Sequence, residues 1–300
     1  MQEREIEMQE SKRNFAAFIL SHGRADRVYT YNSLRRQGYT GKIYIIVDDQ
    51  DDQVDLYKQK YPKQVIVFNK AKAWEKVDCG DTIDDMRVVL PARNTCFKIA
   101  KKLGLTHFVE LDDDYVSFGY RYEQNGALCE SRIADMDRIF SAFCDLLDTT
   151  PIHTVCFAQG GDTIGGLQSS IWKQKVVRKA MNVFICKTDR PFEFFGRINE
   201  DTTMYTRLGQ EGYLTFTFVA LQAHQLATQS NPGGLTDVYC EHGTYLKSFY
   251  SVMYSPSCVK IASMGGGGNG KMYRRIHHFV EWKYCTPCII SEKYRKVDAE

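Results

Sequence analysis

The sequence predicts an α/β fold: a mixed, mainly parallel sheet flanked by helices. Three observations lead there. Short apolar runs alternate with helical stretches through the first third of the chain, the pattern that parallel strands with crossover helices require. These runs end in polar or acidic residues, at Ser21, Asp48-Asp49 and Asp112-Asp113-Asp114. Ligands of open α/β sheets bind outside the carboxyl ends of the strands, so these ends are expected to converge on one site. A chain of 300 residues is also long enough to bury a substantial core.

Taken in order, Phe15–Leu20 reads as a fully buried strand, followed by a loop over 21–25. Asp26 is expected to cap a helix over 26–37, with Gly38 as its stop. Residues 42–47 form a second buried strand, a polar helix runs to about Tyr61, and Val65–Phe68 is a third strand. Residues 69–90 lack clear periodicity and read as a loop carrying Cys79-Gly80-Asp81 and Asp84-Asp85. Pro91 opens a helix over 91–103 at its first turn, and Gly104 closes it. His107-Phe108-Val109 is the strand that leads into the acidic run.

Beyond this point the pattern is less regular. Asn125-Gly126 predicts a hairpin turn, residues 135–147 an amphipathic helix, and 154–157 and 214–219 two strands. Gly160-Gly161 and Gly165-Gly166 bracket a loop, and Asn231-Pro232-Gly233-Gly234 marks another. There is no internal repeat. The expected organisation is a flexible N-terminus over 1–13, one domain over 14–290 and a polar tail over 291–300.

Composition narrows the function classes. The net charge is +2, but Lys271, Arg274, Arg275, His277 and His278 cluster late, with further basic residues beyond them, which fits an anionic partner such as nucleotide or nucleic acid. No apolar stretch approaches the ~18 residues of a membrane span. The polar start lacks the apolar core of a signal peptide. Ten scattered cysteines without framework spacing point to a reducing cytoplasm. Cys285 and Cys288 could join Cys240 and His242 in a zinc site, but a second CxxC is missing, and buried thiols are expected instead.

The acidic run Glu110-Leu111-Asp112-Asp113-Asp114 is the strongest motif. Adjacent carboxylates repel one another unless a cation joins them. Asp112 and Asp114 point the same way along an extended chain, because its side-chain period is two. They can grip one hard divalent cation, Mn²⁺ or Mg²⁺, which in turn can hold a diphosphate. Ser21-His22-Gly23-Arg24 opens the first strand-to-helix turn; Gly23 lets backbone approach a ligand, and Arg24 can reach a phosphate or base edge. Asp48 or Asp49 could accept from a ribose or a base N–H, or simply cap the next helix. Arg93 and Asn94 lie in the first turns of their helix, where a polar pair can reach into the cleft. Glu200-Asp201 begins a helix near Arg197 and the aromatic 192–195 loop, suggesting a hydroxyl-binding pocket with one carboxylate as general base. The glycine run over 264–270, followed by Lys271, His277 and His278, reads as a flexible lid whose lysine meets phosphate and whose histidine completes a metal's ligand set.

In this order, Ser21 to Asp26, Asp48-Asp49, Ala92-Arg93-Asn94, Asp112-Asp113-Asp114, Asn199-Glu200-Asp201 and a late histidine, the chain resembles GT-A glycosyltransferases, whose fold is Rossmann-like. More narrowly it is similar to the TET-associated glycosyltransferases, encoded in phages beside TET/JBP-type DNA oxygenases. The resemblance implies transfer of a sugar from a nucleotide donor, a UDP-sugar favoured, to 5-hydroxymethylpyrimidine in DNA. It implies that Asp112 and Asp114, with His277 or His278, hold the metal. Ser21, Gly23, Arg24, Asp48, Asp49, Arg93, Asn94, Asp112, Asp113 and Lys271 would bind the donor, and Glu200 or Asp201 would act on the acceptor hydroxyl. A monomer in the cytoplasm, of the host if phage-encoded, is expected. The competing readings are a glycosyltransferase with a carbohydrate or lipid acceptor, a catalytically dead DNA-binding module, and a nucleotidyltransferase. The last would need an early glycine-rich, lysine-terminated loop, which is not seen.

Overall fold

A computed structural model describes residues 13–226, 245–268 and 271–287. The expected loop over 231–234, Cys240, His242, Cys288, the tail over 291–300 and nearly all of the N-terminal segment lie outside the described residues. Strand β1 (Phe15–Leu20) pairs in parallel with β2 (Lys42–Asp48) on one side and β4 (His107–Asp112) on the other, and β3 (Val65–Phe68) adds beyond β2. Next to β4 the sheet turns mixed. Its order continues through β9 (Asn182–Lys187), β7 (Ile152–Ala158), β10 (Leu214–Gln225), β5 (Tyr115–Gln124) and β6 (Ala127–Arg132), with the short β8 (Val176–Val177) also on β10. Strands β1 to β4, β7 and β10 run in one sense, so the predicted mixed, mainly parallel α/β sheet is found.

Both faces of the central strands are covered, which is why they are apolar nearly throughout. Ala17 and Ile19 face one core with Leu34, Tyr57 and Phe140. These come from α1 (Tyr29–Arg36), α2 (Val54–Lys60) and α5 (Met136–Thr149). Ala16, Phe18 and Leu20 face the other with Phe97, Phe194 and Met204, built by α4 (Leu90–Lys102) and α7 (Glu200–Gln210). Phe18 stacks on Phe108 at 5.2 Å between centroids. The face change comes from strand alternation alone.

Several boundaries differ from expectation. Helix α1 begins at Tyr29 with no side-chain cap; Asp26 is instead exposed and paired with Lys60. Gly38 is its stop, at φ +83°, where an added Cβ would lie 2.4 Å from the Ala134 carbonyl oxygen. The expected loop over 69–90 contains α3 (Lys70–Trp74), capped by Asn69; five residues are too few for periodicity to register. Asn125 and Gly126 take the positive φ values of a hairpin turn, 51° and 73°, between β5 and β6. Strand β9 and the helices α6 (Ser170–Gln174) and α8 (Leu246–Tyr254) were not anticipated.

The largest correction concerns the late glycine run. Rather than a slack lid, Gly265 to Gly268 belong to strand β11 (Val259–Gly268), paired antiparallel with β12 (Lys271–Val280) in a separate two-stranded sheet. Glycine favours strands poorly, but its partners include Tyr273, and Ile276, Phe279 and Val280 extend the same strand, residue types that fit a pleated ribbon. Among the described residues no helix is long and apolar enough to cross a membrane.

Candidate active site

At the rim, the end of β1 folds back on the end of β2. Ser21 donates its Oγ–H to Asp113 at 2.6 Å, and Arg24 Nη1 reaches the other Asp113 oxygen at 3.0 Å. Gly23, at φ +65°, donates its amide to Asp51 at 2.8 Å, and the Arg24 amide donates to the Tyr57 hydroxyl. Asp48 accepts from His22 Nδ1 at 2.7 Å and lies 3.5 Å from Lys70 Nζ. Burial pushes Asp48 up, but His22 and Lys70 outweigh it and hold the carboxyl below its usual range. His22 is raised by the same hydrogen bond. Asp49 turns away from this group: it accepts from the Lys70 amide at 2.9 Å and from Asn69 at 2.6 Å, at the start of α3.

The centre is built by β4, α4 and α7 together. Arg93, 5% exposed, spreads its guanidinium over three carboxylates: Glu110 at 2.8 Å, Asp112 at 3.0 Å and Glu200 at 3.1 Å. The rings of Phe184 and Phe194 flank it, each 5.3 Å away. Tyr115 donates its hydroxyl to Asp112 at 3.3 Å and also lies 3.4 Å from the Asn182 side-chain oxygen. Burial pushes Glu110 up to about 7 against the pull of Arg93. Asp114 also rises to about 7, through burial and then through Asp112 and Asp113. Burial likewise raises Glu200 and Asp201. One guanidinium thus serves three acids, and burial outweighs its pull at Glu110 and Glu200.

Asn94 does not enter the cleft. Its side chain both donates to the Phe194 carbonyl (3.1 Å) and accepts from the Phe194 amide (2.8 Å), tying the 192–195 loop to α4. Phe192 and Phe194 are buried in the core, and Arg197, 2% exposed, holds Asp81 and the Ile83 carbonyl. The hydroxyl-binding pocket expected from these aromatics and Arg197 is therefore a packed loop anchor.

On β12, Lys271 pairs with Gly268. His278 Nδ1 lies 3.1 Å from Asn199 Nδ2, and Asn199 is the residue before Glu200. His277 and His278 are 4.3 Å apart between ring centroids. Burial lowers both, His278 to about 3 with help from His277, Lys247 and Lys179. Lys247 and Lys179 also act on Asp201, so the two histidines belong to the α7 side of the site. Among the described residues no three His, Cys, Asp or Glu side chains stand together as a metal cage. Mn²⁺ and Mg²⁺ held against phosphates need only one or two carboxylates, the remaining positions going to water and substrate. Asp112 and Asp114 are hard-oxygen groups of that kind at the end of β4. Cys258 and Cys285 are buried free thiols, as are most described cysteines.

Sequence reasoning did not assign His22, Asp51, Lys70, Tyr115 or Asn182 to the site, nor a role to Glu110. Glu110 was legible in principle, since it alternates with Phe108 and Asp112 on one strand face. Asn182 starts a strand that was not anticipated.

Residues 15–234 match the sequence model of a family described as TET-Associated Glycosyltransferase. No curated protein sequence matches the chain. Among solved structures, glucosyl-3-phosphoglycerate synthase from Mycobacterium tuberculosis in complex with Mn²⁺ and UDP-glucose is similar at 9% identity and a TM-score of 0.46, over 91% of this chain and 89% of that one. Mannosyl-3-phosphoglycerate synthase from Rubrobacter xylanophilus is similar at 10% identity and a TM-score of 0.43, over 91% and 86%.

Proposed function

The chain belongs to the TET-associated glycosyltransferases, and from that premise we propose metal-dependent transfer of a hexose from a nucleotide sugar to 5-hydroxymethylpyrimidine in DNA. A UDP-sugar is the favoured donor and 5-hydroxymethylcytosine the favoured acceptor. The observation that carries the chemistry is Asp114, a half-buried carboxyl raised to about 7 beside Asp112 and Asp113. Such a group gains from a divalent cation. Asp112 and Asp114 would hold Mn²⁺ or Mg²⁺, which would supply positive charge against a departing diphosphate.

The chain's own groups do the rest. Ser21, Gly23, Arg24 and Asp48 form the donor side at the ends of β1 and β2. Arg93 keeps Asp112 in place, and Asp113 is immobilised by Ser21 and Arg24. Glu200 is tied to Arg93. Asp201 accepts from the Thr202 amide, and we assign it the acceptor hydroxyl, to orient or deprotonate it. Burial raises its proton affinity, the direction that strengthens a base.

The test is incubation of hydroxymethylated DNA with a panel of nucleotide sugars and Mn²⁺, read by nucleoside mass spectrometry. The expected result is a hexosylated hydroxymethylpyrimidine, with unmodified DNA of identical sequence inert. If both DNAs stay inert and a glycan accepts sugar, the acceptor assignment is wrong. If no donor is hydrolysed under any condition, the catalytic reading goes with it.

A further inference from the structure

The β11–β12 hairpin carries a feature that the catalytic site does not use. Its strands pair with each other over ten residue pairs, from Val259 opposite Val280 to Gly268 opposite Lys271, and with no other described strand. These strand residues include Lys260, Lys271, Arg274 and Arg275 and no acid. The whole chain is only +2, so the rest of the protein is net negative. Arg274 and Arg275 are exposed; Arg275 rests on the Met264 sulfur, and Lys260 is 2.8 Å from Glu281.

Both faces of the ribbon also show apolar groups to solvent. Directly opposed residues share a face, which puts Ile261 and Ile276 on one side and Met264 and Phe279 on the other. All four are between 40% and 56% exposed. A two-stranded ribbon is marginal in water on its own; α8 packs against both strands, and these four side chains are the apolar surface left open to a partner. Its base is fixed, because Val259 is buried and His278 meets Asn199 immediately before Glu200 and Asp201.

We infer that this hairpin is the DNA-docking element, a β-ribbon that lies in the major groove of the acceptor duplex. The inference rests on the DNA acceptor proposed above. The B-DNA major groove, about 12 Å wide, admits a two-stranded ribbon. Arg274 and Arg275 then contact backbone phosphates, and the exposed apolar side chains of the face turned to the groove floor meet base edges. The substituent at C5 of a pyrimidine projects into the same groove. A ribbon seated there brings the hydroxymethyl group toward Asn199 and hence toward the carboxylates at the start of α7.

The test compares wild type with Arg274→Ala/Arg275→Ala and with Arg274→Lys/Arg275→Lys. Readouts are duplex binding across a salt series, KM for a hydroxymethylated duplex, transfer to free 5-hydroxymethyl nucleoside, and donor hydrolysis. Loss of two phosphate contacts should lower the salt slope by about 1.8 and raise the duplex KM about tenfold or more. Donor hydrolysis and transfer to the nucleoside should stay at wild-type levels, and the lysine variant should recover the slope. Dimethyl sulfate footprinting with wild-type protein should protect guanine N7, a major-groove atom, beside the modified base. An unchanged slope and KM in the alanine variant, or duplex binding without N7 protection, overturns the inference while leaving the acceptor reading intact. Should the alanine variant fail to fold, shown by lost donor hydrolysis, the footprint decides alone. Absence of transfer to any DNA by wild type sinks the acceptor reading itself.

Discussion

The rim of the site holds three acids and the centre five, and the two regions differ in how many cations the chain sets against them. At the rim, Asp48, Asp51 and Asp113 meet His22, Lys70 and Arg24, so the protein balances its own charge there. At the centre, Glu110, Asp112 and Glu200 share one Arg93, Asp114 is raised by burial and by Asp112 and Asp113, and Asp201 adds to the rise of Glu200. Asp48 is accordingly held below its ordinary range, burial raises Asp113 despite Arg24, and Glu110 and Asp114 stand at about 7. A balanced cluster is finished when the chain folds. An unbalanced one is finished by what binds, and the difference separates scaffold from chemistry.

The sharpest way to break this contrast is Arg93→Ala. It leaves Glu110, 1% exposed, without its counter-charge, and removing one partner of a buried ion pair costs about 3–5 kcal/mol. Thermal or urea unfolding should show a loss of that size, whereas Arg24→Ala at the rim should cost well under half as much. Equal losses would mean that the centre is no more dependent on its cation than the rim.

Asp114→Asn should act in the other direction on stability. Removing a charge that Asp112 and Asp113 repel should keep the melting temperature level or raise it above pH 7. Donor turnover should fall roughly a hundredfold or more, since a bound metal contributes several kcal/mol to the transition state. A variant with wild-type turnover would reduce the acidic run to a turn.

The pH dependence follows from the same groups. An acid whose folded value is raised binds more protons when folded than unfolded between the two values, so stability falls as pH rises through that interval. For Glu110 and Asp114 the interval runs from their ordinary values of 4.5 and 3.8 up to about 7. The metal-free protein should therefore lose stability from pH 5 to pH 8. Mn²⁺ at a hundred times its dissociation constant should return about 2.7 kcal/mol at pH 8 and much less at pH 5, where protons compete. Asp48, held low, contributes the reverse slope below about pH 4, losing its stabilisation as acid protonates it. Melting curves at both pH values, with and without MnCl₂, measure this; an apo protein more stable at pH 8 contradicts the charge deficit.

The smallest effect is expected at Asp49. Its contacts serve the start of α3, so Asp49→Ala should cost about 1 kcal/mol and leave donor KM within about twofold. A larger rise in KM would restore the donor-binding role that its position after β2 suggested.

What was legible in the sequence was local. Strand runs at 15–20, 42–47 and 65–68, the Asn125-Gly126 turn and the amphipathic helix from Asp135 could be read because side-chain period and positive φ involve only near neighbours in the chain. The placement of acids at strand ends was legible for the same reason. The short helix after Asn69 escaped because it is too brief to show a period; strand β9 carries an apolar run like those that were read and was overlooked.

The sequence by itself determined the alternating architecture, the acidic run and the convergence of strand ends on one place. Tertiary structure alone decided who partners whom. Arg93 and Glu200 are 107 residues apart, Asn94 and the Phe194 carbonyl 100, and nothing local distinguishes an asparagine aimed at a ligand from one that ties down a loop. The same holds for the glycine run, which becomes a strand because β12 lies beside it. Charge balance, likewise, is a property of groups brought together in space; the rim and the centre became different only when the chain closed on itself.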